Sequence, residues 1–337
     1  MFRGSRKPPR ASLDRDLDPF ELAVGRRWNT ESVVRLRADV ARADDMGMRA
    51  NVFAKVGDSN LASYNALYGL GCRMPVWDCH SWLEPTMLRY REIPLPPGND
   101  ALGTARPAEE RAPWNSFSRL SAATRSGILA KQLLKPSKSS VGPKNLKIWL
   151  PDQDCPPDES PLSFEIRLVK PRFVFVNLGT NGANFGMSSR KTAKNALRVV
   201  TAIRRLGPVP ILMTLPPQLD HEILPGRWRF AEETSNWIAE FAKRSEVALF
   251  DQWSVLSDER LVNYGLVDHD REIFDGFHLE TPGGWRDPDA LQSSVDFRPP
   301  ALLYGANLRN LLLLQTLATL DAAVGVSSTD KENLTIT

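Results

Sequence analysis

The chain has 337 residues, of which 42% are hydrophobic and 25% charged, with a formal net charge of +3. That length can bury a sizeable core, either as one large α/β domain with insertions or as two domains. The small net charge gives no reason to expect a nucleic-acid partner, and no apolar run approaches a membrane span, so stable membrane insertion is not expected.

The first thirty residues lack the uncharged apolar centre of a signal peptide. The expected location is therefore the cytoplasm, or outside the cell if a leader is missing from the sequence. Residues 1–44 read as a basic amino-terminal arm and lead-in, carrying Arg3, Arg6, Lys7 and Arg10 around Pro8 and Pro9. Such a composition suits a solvated arm better than a binding site. A single domain is expected over 45–325, interrupted by Pro-rich insertions near 72–113, 135–163 and 280–300, with a tail at 326–337.

A first strand is predicted near 51–56 and a helix just after Ser59. The proline-dense stretch 72–113 excludes regular central elements. Residues 114–134 hold a short strand or turn and then a helix ending near Leu134, before a second Pro-rich excursion over 135–163. From there the pattern is regular. A buried strand at 172–178 stops at Gly179. A helix over 188–206, capped by Ser188 or Ser189, stops at Gly207 and Pro208. A strand at 209–215 closes on Pro216 and Pro217, an amphipathic helix covers 229–244, and a strand at 247–250 leads to Asp251. The last helix is predicted at about 302–323. Apolar strands alternating with helices mean a mostly parallel sheet covered on both faces, a three-layer α/β/α sandwich.

Cys72, Cys79 and Cys155 have no metal-like spacing. Cys72 and Cys79 either pair, in an oxidising compartment, or remain thiols. No Walker-type loop, His-Glu-x-x-His or Cys-x-x-Cys is present, and Gly69-Leu70-Gly71 lacks the third glycine of a dinucleotide fingerprint. The Gly-x-Ser-x-Gly elbow is missing as well, because Leu61 stands where its second glycine belongs. No metal and no organic cofactor is expected.

Candidate chemistry begins at Gly57-Asp58-Ser59. In open α/β sheets ligands bind at the carboxyl ends of strands, where this serine falls, so it is placed to act as a nucleophile. It is equally placed to cap a helix. Composition alone produces such a triplet in roughly one chain in ten of this length, so the motif needs company. A serine nucleophile needs a base, and histidine is the usual one. His80 lies in the first Pro-rich excursion, His221 in a loop after Pro216-Pro217, and His269 between Asp268 and Asp270. His278 alone has an aspartate three residues earlier, Asp275, with a glycine between them. That spacing lets one loop present both side chains, although a buried, satisfied histidine would look the same. Asn181, just past the strand at 172–178, can aim its amide at developing negative charge, or simply serve a turn.

Taken in order, these blocks resemble the SGNH (GDSL-type) hydrolases. Gly57-Asp58-Ser59 looks like the first block, Gly179-Thr180-Asn181 like the Gly-x-Asn-Asp block and Asp275-Gly276-Phe277-His278 like the last. The resemblance runs from about 45 to 323. It takes in 115–124 and 159–162, which are similar to an uncharacterised bacterial branch. It implies a flavodoxin-like fold and a Ser59–His278–Asp275 triad. The implied oxyanion hole comprises the Ser59 N–H, the Asn181 amide and a second-block N–H at Ala122, with Gly127 the alternative. Gly182 departs from the pattern, standing where the family has Asp.

The implied activity is hydrolysis of carboxylic esters through an acyl-enzyme, on small-molecule or glycan esters. O-acetyl groups on carbohydrate are the preferred substrates; Trp77, Trp82 and Trp285 could stack a sugar ring, although such tryptophans are more often packing residues. The alternatives are a weakened binding protein on the same scaffold, an acyltransferase or a lipid esterase.

Overall fold

The computed structural model describes residues 20, 23, 30–63, 65–96, 114–119, 121–136, 156, 158–220, 225–258, 278–282 and 289–325. Its centre is a four-stranded parallel sheet in the order β1 (Arg49–Gly57), β2 (Pro171–Asn177), β3 (Val209–Met213) and β4 (Ala248–Phe250).

Alternation along the strands divides the core in two. Phe53, Phe173, Phe175, Ile211 and Met213 face one layer of helices; Val52, Ala54, Val56, Val174, Val176 and Leu212 face the other. This is the period of two expected of strands buried on both faces. The first layer includes α1 (Thr30–Asp45), α4 (Glu84–Arg91) and α12 (Gly305–Ala323). The second includes α6 (Pro161–Val169), α7 (Ser189–Leu206) and α8 (Arg227–Arg244). The expected three-layer α/β/α arrangement is present. α12 is buried around most of its circumference, as a helix rich in leucine on every face must be.

Caps fall where the sequence puts them on α7: Ser188 accepts from the Lys191 N–H, and Gly207 ends the helix at φ 119°. Elsewhere the structure is more regular than expected. α1 occupies part of the stretch read as a lead-in, and its Leu36, Val40 and Ala43 are buried against the sheet. The first Pro-rich excursion holds α4 and a 3₁₀ turn at Asp78–Leu83. Pro85 is tolerated there because it lies in the first turn, where a backbone N–H has no helical partner. Pro161 opens α6 in the same way, behind a Ser160 cap.

Cys72 and Cys79 form no disulfide; Cys155 lies outside the described residues. Among the described residues no helix is long and apolar enough to cross a membrane.

Candidate active site

Residues 121–125 run beside β1 on the edge away from β2. Gly57 N–H donates to the Ala123 carbonyl (3.1 Å), and Arg125 N–H donates to the Gly57 carbonyl (3.0 Å). β1 therefore has a later segment of the chain on each side, which makes its carboxyl end the topological switch point where α/β sheets open a crevice. Gly57 closes that end. A Cβ there would lie 2.4 Å from the Asn177 carbonyl oxygen, so only glycine lets the two strand ends approach this closely.

Ser59 begins the short helix α2 (Ser59–Ala62) but does not cap it. Asp58 is the cap, accepting from the Asn60 N–H at 3.2 Å. This relieves Ser59 of the task the sequence left open to it: among the described residues neither its hydroxyl nor its N–H has a hydrogen-bond partner. Ser59 is 7% exposed.

The Asp58 carboxylate has a second set of partners, the N–H groups of Gly179 (3.3 Å) and Thr180 (3.2 Å). One buried carboxylate thereby bolts the turn at Ser59 to the loop carrying Asn181. Asn60 adds a bond from its amide to the Thr180 hydroxyl (3.2 Å). Burial raises the Asp58 pKa; the hydrogen bonds from Asn60, Thr180 and Gly179, and the nearby charge of His278, act against that shift.

Asn181 lies in the 3₁₀ turn Thr180–Phe185 and is 8% exposed. Its Nδ2 meets the Ile128 carbonyl at the long distance of 3.5 Å, a weak bond that a better acceptor can displace. The Gly182 departure has a steric cause. A Cβ at that position would come within 2.5 Å of the Thr192 hydroxyl and 2.9 Å of the Phe230 ring, so the space an aspartate needs is already filled.

His278 is half-buried and close enough to Asp58 to act on its charge. No hydrogen bond joins it to Ser59 Oγ in this conformation. Asp275, His221, His269 and Trp285 lie outside the described residues. Of the expected group, the structure brings Ser59, Asn181 and His278 to one end of the sheet around Asp58. His80 is on the separate Asp78–Leu83 turn.

The second block differs from expectation. The Ala122 N–H donates to Glu165 Oε2 at 2.9 Å, and so is already committed. Glu165 comes from α6, is fully buried, and forms an ion pair with the equally buried Arg119. Among the described residues the Gly127 N–H has no partner, and Gly127 adopts φ +73° beside the Ile128 carbonyl that Asn181 meets. Trp77 packs against Phe297 at a ring separation of 5.8 Å, as a core residue does; Trp82 is 58% exposed.

Two buried charged residues near the site were missed by sequence reasoning. Lys55, in the middle of β1, is fully buried, with Nζ donating to the carbonyls of Ala66 (3.3 Å) and Phe117 (2.5 Å). Arg309 is also buried and donates to the Asn60 and Asn65 carbonyls at 3.0 Å each. A lysine inside an apolar strand and an arginine inside a leucine-rich helix were the visible signals.

Residues 146–285 match the model of the GDSL-like lipase/acylhydrolase family. The match includes Asn181, Asp275 and His278 and stops short of Ser59. No curated protein matches the chain. Among solved structures, a GDSL-like lipase from Bacteroides thetaiotaomicron is 11% identical, with 84% of this chain and 98% of that one covered at a TM-score of 0.40. A carbohydrate acetylesterase from Sinorhizobium meliloti is 12% identical over 80% of this chain and 99% of its own, with a TM-score of 0.39. For a carbohydrate esterase family 3 protein from Talaromyces cellulolyticus the identity is 12%, the coverage 79% and 98%, and the TM-score 0.42. Over residues 146–285, then, the chain is similar to the GDSL-like lipases and acylhydrolases, in line with the ordered motifs and the parallel sheet.

Proposed function

We propose that the protein is a serine esterase working through an acyl-enzyme, with Ser59 as nucleophile, His278 as general base and acid, and Asp275 orienting the imidazole. The observation that carries this reading is the double role of Asp58. It caps the helix in place of Ser59, leaving that hydroxyl unbonded, and ties the serine turn to the Asn181 loop.

In the first half-reaction Ser59 Oγ attacks the ester carbonyl and its proton passes to His278. The carbonyl oxygen becomes an oxyanion facing the Ser59 N–H and the Asn181 amide. Gly127, whose N–H has no partner among the described residues, replaces the committed Ala122 as the second-block donor. The C–O bond to the alcohol then breaks as His278 returns the proton to the leaving oxygen. Water, deprotonated by the same histidine, releases the acid and restores Ser59.

The near-complete burial of Ser59 and Asn181 favours a short acyl group. A short acyl group fits O-acetyl groups on carbohydrate, the substrate class proposed here. An ester panel from acetyl to palmitoyl, run beside Ser59→Ala, tests both parts. Turnover should be highest at acetyl and be lost in the variant, which should still fold. Near wild-type turnover in Ser59→Ala would remove the serine mechanism, and a palmitoyl optimum would move the substrate to lipid esters. The unformed Ser59–His278 bond favours one second reading, a scaffold with weakened activity, for which no ester in the panel would turn over.

A further inference from the structure

The nucleophile loop and the strip carrying His278 are 214 residues apart in sequence at their point of contact, and one side chain joins them directly. Asn65 Nδ2 donates to the Leu279 carbonyl at 2.7 Å. Leu279 follows His278 and is buried, so this bond holds the main chain beside the base.

The other end of Asn65 is held just as firmly. Its own carbonyl accepts from Arg309 Nη2 (3.0 Å) and from Asn310 Nδ2 (2.9 Å). Arg309 Nη1 reaches the Asn60 carbonyl at 3.0 Å, and the Asn310 side-chain oxygen accepts from the Leu67 N–H at 3.1 Å. The Ala306 N–H, at the start of α12, donates to the Glu280 carbonyl at 3.1 Å. Both reacting segments are thus referenced to one buried helix, and among the described residues Asn65 is a side chain that spans the gap between them.

We infer that Asn65 is a positioning residue that sets His278 against Ser59 through the Leu279 main chain, an inference that rests on the serine-esterase reading. It touches no reacting atom. Its effect is on distance and orientation, to which proton transfer between Ser59 and His278 is steeply sensitive; a misplacement of about 1 Å can cost on the order of 10²-fold in rate.

The test uses Asn65→Ala and Asn65→Asp in the full chain, the second keeping the size while replacing the donating amide by a carboxylate. Active sites are counted by complete titration with a fluorophosphonate, and kcat and KM for p-nitrophenyl acetate are then expressed per titrated site. Positioning predicts a per-site kcat lower by about 10- to 100-fold in both variants, with KM within about twofold of wild type. A purely structural role would instead lower the number of titratable sites and leave the per-site kcat unchanged, which would overturn the inference. If Asn65→Ala fails to fold, Asn65→Asp decides by the same readout. A wild-type protein that neither titrates nor turns over would overturn the esterase reading itself, and the inference with it.

Discussion

The two halves of the site are held in different ways. Ser59 and Asn181 lie at the ends of neighbouring strands, β1 and β2, and the buried Asp58 carboxylate joins their loops with three backbone N–H groups. The strip 278–280 is tied by the Asn65 side chain to the Leu279 carbonyl and by the Ala306 N–H to the Glu280 carbonyl. In the proposed site the sheet thus builds the nucleophile and oxyanion side, while a loop side chain and a helix N–H hold the main chain on the base side.

The largest stability effect is expected where the nucleophile side leans on a buried ion pair. Glu165→Ala leaves the Arg119 guanidinium buried without its carboxylate and frees the Ala122 N–H. It should cost about 3–5 kcal/mol in urea unfolding. A variant as stable as wild type would show that this edge of β1 is held by packing alone.

Next comes Asn181→Ala, which removes an oxyanion donor without touching the Asp58 bolt. It should lower kcat by about 10²–10³ with the unfolding midpoint little changed. An unaltered kcat would remove Asn181 from the chemistry and leave it a turn residue.

The smallest effect concerns Lys55, which ties the nucleophile loop to the 115–118 turn. Burial, with Arg309 and then Arg119 adding repulsion, lowers its pKa from 10.5 to about 7. Between those two values the unfolded chain holds more protons than the native one, so stability climbs with pH across that window; below it both states are protonated and the penalty is constant. Wild type should therefore gain stability relative to Lys55→Met between about pH 7 and about pH 10. A difference independent of pH would mean that Lys55 keeps its proton throughout.

Much of this was legible in the sequence because it depends on local patterns. The apolar strands, the Ser188 cap and the Gly207 stop are each set within a few residues, and the ordered motifs lie at strand ends and loops that the alternation of strands and helices defines. What escaped depends on contacts far apart in the chain. The Ala122 N–H is taken by Glu165, 43 positions away, and the Asn65–Leu279 link spans 214. Prolines misled at α4 and α6 because Pro85 and Pro161 open those helices rather than break them. Gly182 read as a defect in a motif, but the Thr192 and Phe230 side chains occupy the space.

The central claim is that Ser59 is an activated nucleophile. Reaction of the full chain with a fluorophosphonate, followed by mass spectrometry of its peptides, tests it most directly. The account predicts one adduct per chain, on Ser59, with ester hydrolysis lost in proportion. An unlabelled Ser59 in a protein that still hydrolyses acetyl esters would contradict it.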